Sequence, residues 1–242
     1  MATTTRTTAS TSPNSCADVV TPGSAPVDPA GVAERLREVR ERIALAGGSN
    51  VAVVAVTKSF PAKAVLAAVA AGADGIGENY AQELDAKASA VAEAAASGCP
   101  VHFIGQLQSN KVRVVARHAQ VIQSVDRPSL LTEIARRASG LSVMIQVSPA
   151  DEPGKGGCDP AEVPALVESA RQMGLEVLGL MCVAPTSGGV EAAGPHFAMT
   201  RALVDHLGLE HCSMGMSGDL EAAVREGSTM VRIGSALFGA RS

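Results

Sequence analysis

Eight short apolar runs alternate with helix-like stretches from residue 51 to residue 238, and this alternation constrains the fold more than any other feature of the sequence. The strand-like runs fall at 51–56, 74–79, 101–106, 121–125, 142–147, 176–184, 211–215 and 230–238. They are rich in Val, Ile, Leu and Ala and are bounded by glycine, proline or charge. Helices are expected to begin near Pro61, Tyr80, Asn110, Arg127, Pro160, Gly194 and Ser217. Strands that return through a helix pair in parallel, because a parallel pair needs a long crossover. Eight such units in about 190 residues predict an α/β protein, a single (β/α)8 TIM barrel, rather than an open doubly wound sheet. The Rossmann alternative lacks its fingerprint, since the first strand runs into Thr57, Lys58, Ser59, Phe60 and Pro61 instead of a glycine-rich turn.

An extra amphipathic helix precedes the first strand, with Val32, Leu36, Val39 and Ile43 at helical spacing. Residues 1–27 show no such periodicity and are rich in Thr, Ser, Pro and Ala, so they predict a disordered tail before one folded domain at 28–242. No apolar h-region follows Arg6, which argues against a secretory signal, while the scarcity of acids leaves a transit peptide as an alternative. Apolar residues make up 46% of the chain but aromatics only 2%, so the core must be built from small aliphatic side chains, which suit parallel strands covered by helices.

The net charge of −4, from 20 basic and 24 acidic residues that intermingle, gives no reason to expect nucleic acid or an anionic membrane as partner. No apolar run reaches the length of about 18 residues that a bilayer crossing requires. The five cysteines, Cys16, Cys99, Cys158, Cys182 and Cys212, show no metal-ligand spacing and read as reduced thiols of a cytoplasmic protein that holds no metal.

In a parallel barrel, functional groups gather at the carboxyl ends of the strands. Lys58 stands at the first of these ends, where partial desolvation would lower its pKa and free the amine for a Schiff base; a lysine snorkelling to solvent is the other reading. Ser217 and Gly218 after the seventh strand, and Gly234 and Ser235 after the eighth, can offer hydroxyls and backbone N–H groups to a phosphate, with ordinary capping and packing as the alternative. Arg232, inside an apolar strand, must face solvent or have a buried partner. Amine, phosphate cradle and buried guanidinium together match the needs of pyridoxal phosphate.

Six segments carry a further resemblance: 55–58 (AVTK), 76–80 (IGENY), 102–111 (HFIGQLQSNK), 179–181 (GLM), 214–217 (MGMS) and 227–241 (GSTMVRIGSALFGAR). In this order they resemble the YggS/PROSC family of pyridoxal phosphate homeostasis proteins over nearly everything after the tail. The resemblance implies a barrel like the N-terminal domain of alanine racemase, with pyridoxal 5'-phosphate held as an internal aldimine on Lys58. Ser217, Gly218, Gly234 and Ser235 would then be the phosphate site, and Arg232 the partner of the ring nitrogen. Asn79 and Met181 would line the ring pocket; His102 is a weaker candidate, a satisfied core histidine being the other reading.

There are two departures from the family pattern: Ser235 replaces a common threonine, which keeps the hydroxyl, and Phe60 stands where many members carry a second lysine. Lys155 matches a loop lysine of the family and offers a second amine. An arginine beside the ring nitrogen disfavours a protonated ring and weakens the electron sink, which points to an intracellular carrier or regulator of the cofactor acting as a monomer. Its partners would be free pyridoxal phosphate and apo-enzymes that need it. The enzyme alternative is a small amino-acid racemase using Lys58 with Tyr80, His102 or a cysteine; a third reading is an aldolase-like barrel that forms its Schiff base with a sugar phosphate.

Overall fold

In the computed structural model, which describes residues 27–138, 140–148, 156–185 and 189–239, eight parallel strands pair in chain order and the last closes onto the first. They are β1 (Ala52–Val56), β2 (Gly75–Glu78), β3 (Val101–Phe103), β4 (Val121–Val125), β5 (Ser142–Val147), β6 (Glu176–Cys182), β7 (His211–Ser213) and β8 (Met230–Ile233). The seam is set by a register that places Val54 opposite Arg232 and Ala55 opposite Ile233. Residues 1–26, all but the last residue of the expected tail, lie outside the described residues, as does Lys155.

Successive side chains of a strand point to opposite faces, and here the two faces meet different environments. Val53, Ala55 and Ile76 join the main core with Val65 and Ala68 of the helix Ala62–Ala70. Inside the barrel, Val121, Met144 and Met181 form a separate cluster. Beside it lie buried His102, Gln123, Ser213 and Arg232, so the barrel interior is partly polar.

The extra helix Pro29–Leu45 forms as its pattern requires. The Asp28 carboxylate accepts the N–H groups of Ala30 and Gly31 at 3.1 and 3.0 Å, and Pro29 occupies the first turn, where its missing N–H costs nothing. Val32, Leu36, Val39 and Ile43 are all buried, each stabilising the helix by about 1.5–3 kcal/mol. That face packs against the helices Ala62–Ala70, Leu220–Arg225 and Ser235–Phe238. It thereby covers the β8–β1 seam, where only one helical turn follows β8 in the described residues.

Several boundaries differ from expectation, three of them with a local feature beside them. β8 ends at Ile233 rather than at residue 238: Gly234, at φ −115° and ψ −76°, bends the chain into the helical turn Ser235–Phe238. A short apolar run cannot be assigned to strand or helix by periodicity alone. β3 ends at Phe103, and just beyond it Gly105 lies so close to the backbone of Asn79 that a Cβ would stand 2.1 Å from its carbonyl oxygen. The helix expected near Gly194 begins at Gly189 and carries Pro195 in its interior, whereas proline read from sequence marks a helix start. No helix of the described residues is long and apolar enough to cross a membrane.

Candidate functional site

Lys58, half-buried, lies two residues beyond β1. The Thr57 N–H still pairs with Gly77 O at 3.0 Å, after which the Phe60 N–H returns to Thr57 O at 3.1 Å. Ser59 takes φ +64°, a left-handed conformation that is uncommon for residues other than glycine. Buried charges border this turn. Lys87 Nζ donates to Thr57 O, Glu78 Oε1 and Glu83 Oε1, each at 2.7 Å. Thr57 Oγ1 donates to Glu78 Oε1 and the Ser59 N–H to Glu83 Oε1, both at 2.6 Å. Burial raises the pKa of Glu78, against the opposing pull of Lys87 and Thr57.

The segments after β7 and β8 meet at the same mouth. Ser217 Oγ accepts the Ala236 N–H at 3.3 Å. Gly234 lies against the end of β1, where a Cβ would stand 3.5 Å from both the Cβ and the carbonyl oxygen of Val56. Ser217 and Gly234 are half-buried, while Gly218 and Ser235 are exposed. From the extra helix, Arg42 donates to Ser217 O at 3.2 Å and pairs with Glu221 at 2.7 Å.

Arg232 does have buried partners. Its Nη1 donates to Ser213 O and Oγ at 2.7 and 2.8 Å, and its Nη2 to Cys182 O at 2.7 Å, tying β8 to β7 and β6. Gly215, at φ +96°, supplies the carbonyl that accepts the Arg232 N–H at 3.0 Å. Desolvation lowers the Arg232 pKa, but the oxygen acceptors around the guanidinium favour its charged form. The hydrogen bonds continue across the barrel: Ser213 Oγ donates to Gln123 Oε1 at 2.7 Å, and Gln123 Nε2 meets His102 Nδ1 at 2.9 Å. Burial, helped by the charge of His211, pushes the His102 pKa down to about 4, so the ring is neutral at pH 7 and its Nδ1 accepts from Gln123. His102 is therefore a hydrogen-bonded core histidine.

Asn79 directly follows β2, and its Oδ1 is buried without a hydrogen-bond partner. A cleft of about 230 Å³ opens beside it, lined by Tyr80, Gln106, Leu107 and Lys111 among others; neither Lys58 nor Arg232 lines it. Met181, 1% exposed, packs with Val121 and Met144 below the mouth. Phe60 is buried and its ring pairs with that of Phe238. The sequence reading misses Glu78, Glu83, Lys87, Gln123 and Ser213. A glutamate closing an apolar strand is the same signal that marks Arg232, and it could have flagged Glu78.

The fold and these residues define a closed parallel barrel with a lysine and two glycine–serine loops at one mouth. Residues 27–242 match the family described as alanine racemase, N-terminal domain. The pyridoxal phosphate homeostasis protein of Pseudomonas aeruginosa is 44% identical over 226 residues, covering 87% of this chain and 96% of that one. Among solved structures, an unknown protein from Bifidobacterium adolescentis is 33% identical with a TM-score of 0.79, covering 89% of this chain and 98% of that one. PipY of Synechococcus elongatus with PLP bound is 34% identical with a TM-score of 0.74, covering 86% and 100%. The chain belongs to the pyridoxal phosphate homeostasis proteins of the alanine racemase N-terminal domain family.

Proposed function

We propose that this chain binds pyridoxal 5'-phosphate through a Schiff base on Lys58 and serves as a carrier and regulator of the cofactor rather than as a turnover enzyme. The observation that carries the reading is Arg232, a buried cation on the strand that leads into Gly234 and Ser235 and pairs with the strand that leads to Lys58. The residues present fit the cofactor. Val54 and Val56 flank Gly77 on the axial face while Thr57 turns outward to Glu78, and the same alternation carried one residue further turns Lys58 toward the axis. The Ser217 hydroxyl and the N–H groups of Gly218 and Ser235, with Gly234 between β8 and the loop, would take the phosphate. Asn79 Oδ1 has unused acceptor capacity for a donor on the ring, Met181 adds apolar wall, and Arg232 would face the ring nitrogen.

Bound pyridoxal phosphate supplies an aldehyde that can pass from one amine to another. Arg232 would donate a hydrogen bond to the ring nitrogen and leave no proton there, which suits holding more than carbanion chemistry. A racemase would need a second acid–base group. His102 is neutral and bonded within the barrel, and Tyr80 is 54% exposed at a helix start. Residues 28–242 are read as the cofactor-binding unit, acting as a cytoplasmic monomer whose recipients are apo-enzymes that require the cofactor.

The pure protein should be yellow, and borohydride should fix a phosphopyridoxyl group on Lys58 that Lys58→Ala abolishes. A colourless protein that takes up no added cofactor, or a label mapped elsewhere, overturns the reading. Sustained incorporation of solvent deuterium at an amino-acid α-carbon, lost in Lys58→Ala, would return the chain to the enzymes.

A further inference from the structure

Beside the turn that carries Lys58 lies a group of charges that the cofactor reading does not use. Lys87 is 5% exposed and Glu78 fully buried. An ammonium has three N–H donors, and all three of Lys87 are accounted for by Thr57 O, Glu78 Oε1 and Glu83 Oε1. Glu78 also holds the Thr57 hydroxyl, and Glu83 holds the Ser59 N–H. The residue before Lys58 is thus fixed through its carbonyl and hydroxyl, and the residue after it through its N–H. The second contact falls on the left-handed Ser59, and a non-glycine residue persists in that conformation only where its surroundings over-determine it.

Well-packed apolar residues would stabilise the same layer as well as buried charges or better, so the cluster is poorly explained as a stability device. Resting on the cofactor reading above, we infer that Lys87, Glu83 and Glu78 are positioning residues for Lys58. They fix the backbone on both sides of it, so that its amine meets the aldehyde already oriented. Attachment forms one C=N bond and releases the aldehyde oxygen as water, so no other reactant is needed. The cluster acts through the Thr57 and Ser59 backbone, and its effect falls on covalent attachment rather than on recognition of the ring or phosphate.

Two ligands separate these effects in the full chain freed of cofactor. Pyridoxamine 5'-phosphate keeps the ring and phosphate but has an amine in place of the aldehyde, so it cannot link to Lys58. Glu83→Ala and Lys87→Met should each bind pyridoxal 5'-phosphate about tenfold more weakly while binding pyridoxamine 5'-phosphate within about twofold of wild type. Glu83→Gln keeps an oxygen acceptor for the Ser59 N–H and should behave as wild type. Unchanged aldehyde affinity in both weakened variants, or equal loss for both ligands, overturns the inference. If Lys87→Met does not fold, Glu83→Ala decides, since the Glu83 side chain is 22% exposed. The cofactor reading itself fails separately, if borohydride leaves no label on Lys58 of the wild type.

Discussion

The ring of Phe60 lies 5.1 Å, centroid to centroid, from that of Phe238 at an interplanar angle of 42°, joining the turn that carries Lys58 to the helical turn after β8. Phe60 is 7% exposed, and Phe238, half-buried, packs against the core. Phe60→Ala should lower stability by about 3 kcal/mol, the usual cost of deleting a buried ring. Phe60→Lys should cost a similar amount because its ammonium has to leave the core. Denaturant midpoints test both, and an unshifted midpoint for Phe60→Lys would contradict the core role.

His102 predicts a pH dependence. Its pKa in the fold is pushed down to about 4 by burial, against 6.5 for an ordinary imidazole. Between those values the unfolded chain binds a proton that the folded chain refuses, so the contribution is complete above pH 6.5 and is lost as pH falls toward 4. The loss should reach about 2 kcal/mol by about pH 5. Unfolding curves at neutral and acid pH should show it, and His102→Gln should flatten the difference.

Gln123 bridges Ser213 and His102 in the barrel interior. Gln123→Leu keeps the approximate volume but leaves the Ser213 hydroxyl without that acceptor and His102 Nδ1 without its donor. His102 Nδ1 then goes unpaired while the Ser213 hydroxyl keeps only its bond from Arg232 Nη1, and stability should fall by about 1–3 kcal/mol. A midpoint at or above that of wild type would show that these bonds add nothing to stability.

Cys99, Cys158, Cys182 and Cys212 are all buried. Burial raises the thiols of Cys99 to about 11 and of Cys158 and Cys212 to about 12, so almost no thiolate forms near neutral pH. Iodoacetamide should therefore leave these four unmodified in the native protein and label them after unfolding, as read by peptide mass spectrometry. Native labelling of Cys212 at a free-thiol rate would contradict its placement.

The barrel is legible in the sequence because each strand is a short aliphatic run closed by a turn residue, and parallel pairing follows from the helices between. The rule that chemistry gathers at strand ends likewise points to 58, 217–218 and 234–235, which the structure brings to one mouth. The end of β8 is not legible, since Ala236, Leu237 and Phe238 are as apolar as a strand and only the Phe60 and extra-helix contacts reveal the turn. Glu83 and Lys87 are hidden for another reason. Four residues apart, they look like a solvated helical ion pair, and only the approach of Thr57 and Glu78 from neighbouring strand ends places that pair inside. Gln123 and Ser213 are unremarkable in their strands, and their partners lie across the barrel at separations no local pattern encodes.

The seam between β1 and β8 also has a consequence for biogenesis. It joins positions 54 and 232, and the Arg35 guanidinium is bonded to the carbonyl of Leu237, 202 positions away. Contacts so distant along a chain form late and slowly, because a large loop must close first. A nascent polypeptide still short of Leu237 therefore presents position 58 with no opposing rim, and the mouth around it is completed only once β8 and the helical turn after it have been made.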